Sequence, residues 1–202
     1  MITVKVDSSN ARVYLANILA QARRPAGILQ TSGRAVAKLL KKWYLQRDRE
    51  QPNRLGGPRT HFWLEVSRSV QAPVVAGDGT SVTVTISHPI IAQKVFGGTI
   101  RAKRASLLTI PQTPEAYGRT AATFERETGL KLIFLKQNDH AILASRAQGQ
   151  GLTVQYVLVP SVHQEPDPNA LPPEQQMEQE ALTAADKALE RQLQQPGQAP
   201  TV

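Results

Sequence analysis

The feature that most constrains the fold is a run of three apolar segments between residues 130 and 158. Residues 130–135 read Leu-Lys-Leu-Ile-Phe-Leu and residues 141–144 read Ala-Ile-Leu-Ala. Leu152, Val154, Tyr156 and Leu158 then recur at every second position. Period-two patterning places such side chains on one face of a pleated strand. The segments between them, Gln137-Asn138-Asp139-His140 and Gln148-Gly149-Gln150-Gly151, have the length and composition of hairpin turns. A meander of this kind must bury one face, and the elements available to cover it are helical segments earlier in the chain. The expected class is α+β: an antiparallel sheet packed against N-terminal helices, plus a C-terminal helical tail extension.

The earlier segments follow from the same period analysis. Ile2, Val4 and Val6 alternate as a short strand, and Ser8 or Ser9 can cap what comes next. Ala11, Tyr14, Leu15, Ile18, Leu19 and Ala22 share a helical face. After Pro25 and Gly27 a second helical stripe carries Val36, Leu39, Leu40 and Trp43, with Lys38, Lys41, Lys42, Arg47 and Arg49 largely off it. These cations read either as a solvated face or as one that meets DNA or an acidic partner. Phe62, Trp63, Val66 and Val70 indicate a third, shorter helix. Val74-Val75, Gly77-Asp78-Gly79 and the alternating Val82, Val84 and Ile86 indicate a hairpin with a glycine-rich turn. Residues 111–129, with Pro114 and Gly118, read as an irregular segment, either exposed or pinned by a partner.

Charge divides the chain more sharply than hydrophobicity does. The total is +8, yet residues 161–202 hold seven acids and two bases, net −5, which leaves +13 on residues 1–160. A basic body suits nucleic acid or an acidic protein surface, and an acidic tail suits a basic neighbour. The composition boundary gives three expected regions: a body over 1–160, a proline-rich linker over 161–173, and an acidic helical tail over 174–202. The tail's apolar stripe, Leu182, Ala185 and Leu189 with Leu193 nearby, is thin, and an isolated helix of that kind is marginal in water. It reads as a frayed tail or as a clasp on another surface.

Several chemistries have no visible residues to carry them. Without cysteine there is no disulfide, no thiol nucleophile and no Cys-based zinc site. His61, His88, His140 and His163 are scattered, with no second ligand at helical metal spacing, so no metal site is expected. Gly149-Gln150-Gly151 is too short for a dinucleotide fingerprint, and neither a Walker-type phosphate loop nor a Gly-x-Ser-x-Gly elbow occurs. Glu125 and Glu127 are close in sequence but lie in the irregular segment. The expectation is a protein without catalysis or cofactor. No zinc finger, RNA-recognition aromatic motif or clear helix-turn-helix is present either. The N-terminal residues lack the apolar core of a signal peptide, and no stretch approaches ~18 uninterrupted apolar residues. A cytoplasm-like setting without membrane contact is expected.

One stretch remains, His88 to Pro111. Residues 90–96 form an apolar run long enough for one or two helical turns. Gly97-Gly98 follows, then Arg101, Lys103 and Arg104, then Leu107, Leu108, Ile110 and a stopping Pro111. Taken alone, this is either an edge hairpin whose charges oppose aggregation or a surface that meets phosphate or an acidic partner. The sequence Phe96-Gly97-Gly98-Thr99-Ile100-Arg101-Ala102-Lys103-Arg104-Ala105, with Leu107-Leu108-Thr109-Ile110-Pro111 after it, resembles the signature of the phage virion morphogenesis family. That family includes tail-completion proteins of Mu-like and P2-like tailed phages. The resemblance covers roughly residues 5–160 and includes the order of the elements; residues 172–202 have no counterpart in it.

The resemblance implies a structural virion protein at the head–tail junction. It would be a tail-completion, tail-terminator or connector subunit in a ring around the DNA path, of six copies or more. It would be assembled in the host cytoplasm and retained in the tail or neck of the virion. The implied partners are further copies, neighbouring connector and tail-tube proteins, and viral DNA contacted without sequence preference. Phe96, Gly97, Gly98, Thr99 and Ile100 become candidates for the subunit interface. Arg101, Lys103, Arg104, Lys41 and Lys42 become candidates for facing DNA or an acidic partner. Leu182, Ala185 and Leu189 become candidates for a tail clasp. The competing readings are a DNA-binding protein of packaging or regulation, and an assembly chaperone absent from the mature virion.

Overall fold

A computed structural model describes residues 25–53, 55–57, 59–103, 105–137, 140–146 and 151–194. The expected strand at Ile2 to Val6 and the helix face from Ala11 to Ala22 lie outside the described residues, as does Arg104. The described elements are α1 (Ala26–Glu50), α2 (Phe62–Arg68), β1 (Val74–Val75), β2 (Val82–Thr83), α3 (Ile91–Phe96), β3 (Gly98–Arg101), β4 (Leu108–Pro111), α4 (Ala121–Thr128), β5 (Leu132–Gln137), β6 (His140–Arg146), β7 (Leu152–Val159), β8 (Ser161–Gln164) and α5 (Glu174–Gln194). The class is α+β, with antiparallel sheets and a C-terminal helix. Among the described residues no helix is long and apolar enough to cross a membrane.

The chain forms two compact units, each discontinuous in sequence. One holds residues 25–44, Val66–His88 and 171–194; the other holds Leu45–Glu65 and Pro89–Ala170. This grouping differs from the sequence boundaries at 160 and 173. Ser161–Gln164, read as linker, is a strand paired with β3, and α5 belongs with the first part of α1.

In the first unit, α1 buries Gly33, Ala37, Leu40 and Tyr44, a stripe spaced four, three and four residues apart. Gly33 has a packing reason: a Cβ there would lie 2.6 Å from Pro73 Cβ and 2.7 Å from Val82 Cγ2. β1 and β2 pair antiparallel around the Ala76 to Ser81 turn, where Gly79 takes φ 69°. The Asp78 carboxylate accepts the Thr80 amide at 3.0 Å, and this bond holds its pKa below the ordinary value. The hairpin extends to a bridge between Val70 and Ile86. α5 starts after Pro172-Pro173 and turns small residues, Ala181, Ala184 and Ala188, inward. Small residues let two helix backbones approach, and the Ser32 hydroxyl donates to the Ala181 carbonyl at 3.0 Å.

In the second unit the expected meander is present, with strand order β4-β7-β6-β5, all antiparallel. A register shift at Leu143/Ala144 leaves Gln155 as the extra residue of β7. Gln155 is buried yet satisfied: its amide donates to Ser145 Oγ at 3.0 Å and its carbonyl accepts from the Thr113 hydroxyl. The segment 111–129, expected to be irregular, contains α4. Thr120 caps its N-terminus by accepting the Thr123 amide, and Gly129 ends it with φ 71°. The short length of α4, together with Pro114 and Gly118 just before it, hid the helical period. Phe124 of α4 meets Tyr156 of β7 edge-to-face at 6.0 Å, and both are fully buried with Ala116. The Tyr156 hydroxyl shares its proton between the Ala116 and Arg119 carbonyls, 3.3 and 3.2 Å away. Burial raises its pKa above the ordinary 10.0, against a smaller opposing pull from Arg119.

Candidate functional site

The glycine pair turns the chain from a helix into a strand. α3 ends at Phe96, and Gly97 has φ 67° and ψ −158°, a region open in practice only to glycine. Its amide donates to the Gln93 carbonyl at 3.0 Å. A Cβ on Gly97 would lie 2.6 Å from the Gln164 carbonyl oxygen and 2.8 Å from the Pro166 nitrogen. The close approach that Gly97 permits is therefore to its own chain, at the end of β8. Gly98, φ 121°, opens β3, and its carbonyl accepts the Gln93 side-chain amide at 3.0 Å.

β3 pairs with β8 in the register Gly98↔Gln164, Thr99↔His163, Ile100↔Val162 and Arg101↔Ser161. β3 and β4 lie in separate sheets, so the stretch is not the expected hairpin. The result is a two-stranded ribbon with most of β3 in solvent. Phe96 is 77% exposed and Ile100 37% exposed. Thr99, Arg101 and Lys103 are exposed beside them. Neither Arg101 nor Lys103 forms an ion pair among the described residues. The ribbon thus unites Phe96, Gly97, Gly98, Thr99, Ile100, Arg101 and Lys103 on one short segment. Lys41 and Lys42 are exposed on α1, in the other compact unit. Of the tail candidates, Leu182 is 54% exposed, while Ala185 and Leu189 are half-buried. The inward face of α5 runs through Ala181 and Ala188, one side of the stripe expected from sequence.

The second unit also holds a cleft of about 820 Å³, which no sequence pattern indicated. Phe62, Trp63, Ile110 and Pro111 line it together with Asp48, His61, Arg59 and Lys94. Asp48 organises one wall. Its Oδ2 lies 2.9 Å from His61 Nδ1, and its Oδ1 accepts the Leu64 amide at 3.2 Å, which satisfies a donor in the first turn of α2. His61 is the one non-glycine residue with positive φ (54°) among the described residues. Such strain persists only where neighbours hold it, and the Asp48 bond supplies that hold. An Asp-oriented imidazole is half of a general-base arrangement. Through these two bonds Asp48 orients the imidazole and caps α2.

Arg47 corrects the sequence reading of the cationic helix face. It is 7% exposed, three residues beyond Tyr44 on the buried stripe. Its guanidinium donates to Asp167 Oδ2 at 2.8 Å and to the Asn169 carbonyl, and lies 4.0 Å over the Trp63 ring. A planar cation with several donors can be buried where an acid, a carbonyl and a ring all meet it. The partners lie 120 and 122 residues away, so no local pattern could have revealed them. Among the described residues no cluster of three His, Asp or Glu could hold a metal ion. No family model, curated protein or solved structure matches the chain.

Proposed function

We propose that the chain is a structural subunit of a phage head–tail junction, a tail-completion, terminator or connector protein that works as a ring of six or more copies around the DNA path. The observation that carries this reading is the ribbon. The segment that resembles the virion morphogenesis signature is also where an exposed phenylalanine, an exposed isoleucine and two cations without ion pairs among the described residues lie together in solvent. An exposed aromatic and an exposed isoleucine suit the core of an assembly surface, and the cations beside them suit its polar rim. The +13 carried by residues 1–160 suits a channel that passes DNA, or an acidic neighbouring ring. The protein acts by fitting copies and neighbours together, in the tail or neck of the virion, without catalysis or cofactor.

The experiment is genetic. A phage that encodes this chain and loses it should accumulate heads and tails that do not join, and particles should reappear when the chain is supplied in trans. Joined, infectious particles made without it refute the proposal. DNA affinity separates it from a packaging or regulatory protein. A ring subunit binds weakly, without sequence preference and with steep loss of affinity in salt, whereas a regulator keeps base preference at physiological salt.

A further inference from the structure

The fold engages many of its acidic groups, while others stay in solvent, among them a row along α5. Asp48 holds His61 and the Leu64 amide, Asp167 holds Arg47, Glu125 accepts the Leu132 amide and Glu127 holds Arg119. Along α5, by contrast, Glu178, Asp186 and Glu190 are exposed and form no ion pair among the described residues. With Leu182 they follow one another at steps of four, so they form a single stripe rising about 6 Å per step. Asp186 and Glu190 are like charges at i,i+4, an arrangement that weakens a helix by a few tenths of a kcal/mol. Leu182 lies in the middle of this stripe, 54% exposed, because the alanine side of α5 is the one used for packing. The ribbon carries the complement: Phe96 and Ile100 exposed, with Arg101 and Lys103 beside them and in no ion pair among the described residues.

We infer that the Glu178–Leu182–Asp186–Glu190 stripe of one copy docks on the Phe96–Ile100–Arg101–Lys103 ribbon of another. Leu182 covers Phe96 and Ile100, and the carboxylates meet the two cations. The contact uses different surfaces on the two copies, so it is heterologous and propagates from copy to copy. A ring closes when the rotation permits. The inference rests on the reading that the chain assembles with itself, and it assigns the two surfaces that do so. The outer face of α5 thereby acquires a role that the half-buried Ala185 and Leu189 cannot fill.

The absence of cysteine makes the test direct. Thr99→Cys and Gln179→Cys, each placed in a separate chain at an exposed position outside the four side chains assigned to each surface, are mixed and treated with a short bismaleimide. A cross-linked dimer carrying one copy of each variant should form in the mixture, and each variant alone should yield little. Light scattering on the unmodified chain is run in parallel. Oligomers without the mixed cross-link overturn the assigned surfaces and leave the self-assembly reading standing; a monomer at all concentrations overturns both. As a second measurement, Arg101→Glu with Lys103→Glu should weaken association about tenfold or more, and Glu178→Lys with Asp186→Lys should restore it in the same chain. Loss without restoration contradicts the pairing.

Discussion

Replacing Gly97 by alanine should open the ribbon from within. The residue sits at φ 67° and ψ −158°, where an L side chain costs about 1–3 kcal/mol. The added methyl would also lie 2.6 Å from the Gln164 carbonyl oxygen and 2.8 Å from the Pro166 nitrogen, both main-chain atoms that no rotamer change can clear. Overpacking of that kind costs about 1–3 kcal/mol more. A total of about 2–6 kcal/mol is large for two strands held by four residue pairs, because an isolated two-stranded sheet is itself marginal. The loss should therefore appear as local opening of β3 and β8, with the four-stranded sheet intact. Hydrogen exchange resolves the two: amides of β3 and β8 should lose protection in Gly97→Ala, while those of β6 and β7 keep theirs. Gly98→Ala should do less: its φ of 121° also strains an L side chain, but its Cβ would meet only the Gln93 side chain, at 3.5 Å. Unchanged protection of β3 and β8 in Gly97→Ala would refute the reasoning.

Arg47→Ala should destabilise the chain by about 2–4 kcal/mol in urea melts, because it strands Asp167 and the Asn169 carbonyl and uncovers Trp63; Arg47→Lys should recover only part of the loss. Asp48→Asn should cost about 1–2 kcal/mol by weakening both the bond to His61 and the acceptor at the start of α2, measured the same way. Tyr156 sets an alkaline limit. Its pKa is raised in the fold, so its contribution is fully present below pH 10.0 and is lost as pH rises towards the folded-state value; urea midpoints should fall above pH 10. Tyr156→Phe should abolish that part of the fall, while lowering stability at neutral pH through the lost bonds to Ala116 and Arg119.

Local patterns carried much of the fold. The period-two residues between 130 and 158 specified β5, β6 and β7, because a one-residue slip would expose the face that holds Leu143 and Tyr156. The glycine-rich turn at Gly77-Asp78-Gly79 likewise announced its hairpin. What stayed hidden was set by distant partners. β8 is four residues long and follows a proline, and only β3, some 60 residues earlier, makes it a strand. Arg47 looked solvated because its partners lie far along the chain. The sequence puts the tail stripe on Leu182, Ala185 and Leu189, whereas close helix packing centres on Ala181, Ala184 and Ala188, leaves Ala185 and Leu189 half-buried and turns Leu182 out. The ribbon residues stand together in the sequence as an apolar run, a glycine pair and a basic segment, but the use of Gly97 was not legible there, since it depends on where Gln164 and Pro166 return.

Mass spectrometry of purified phage particles, separated into heads and tails, tests the central claim most directly. The account predicts that peptides of this chain, including the 98–101 strand and the 174–194 helix, accompany tails or neck complexes in several copies per particle. Complete infectious particles that contain none of them would contradict it.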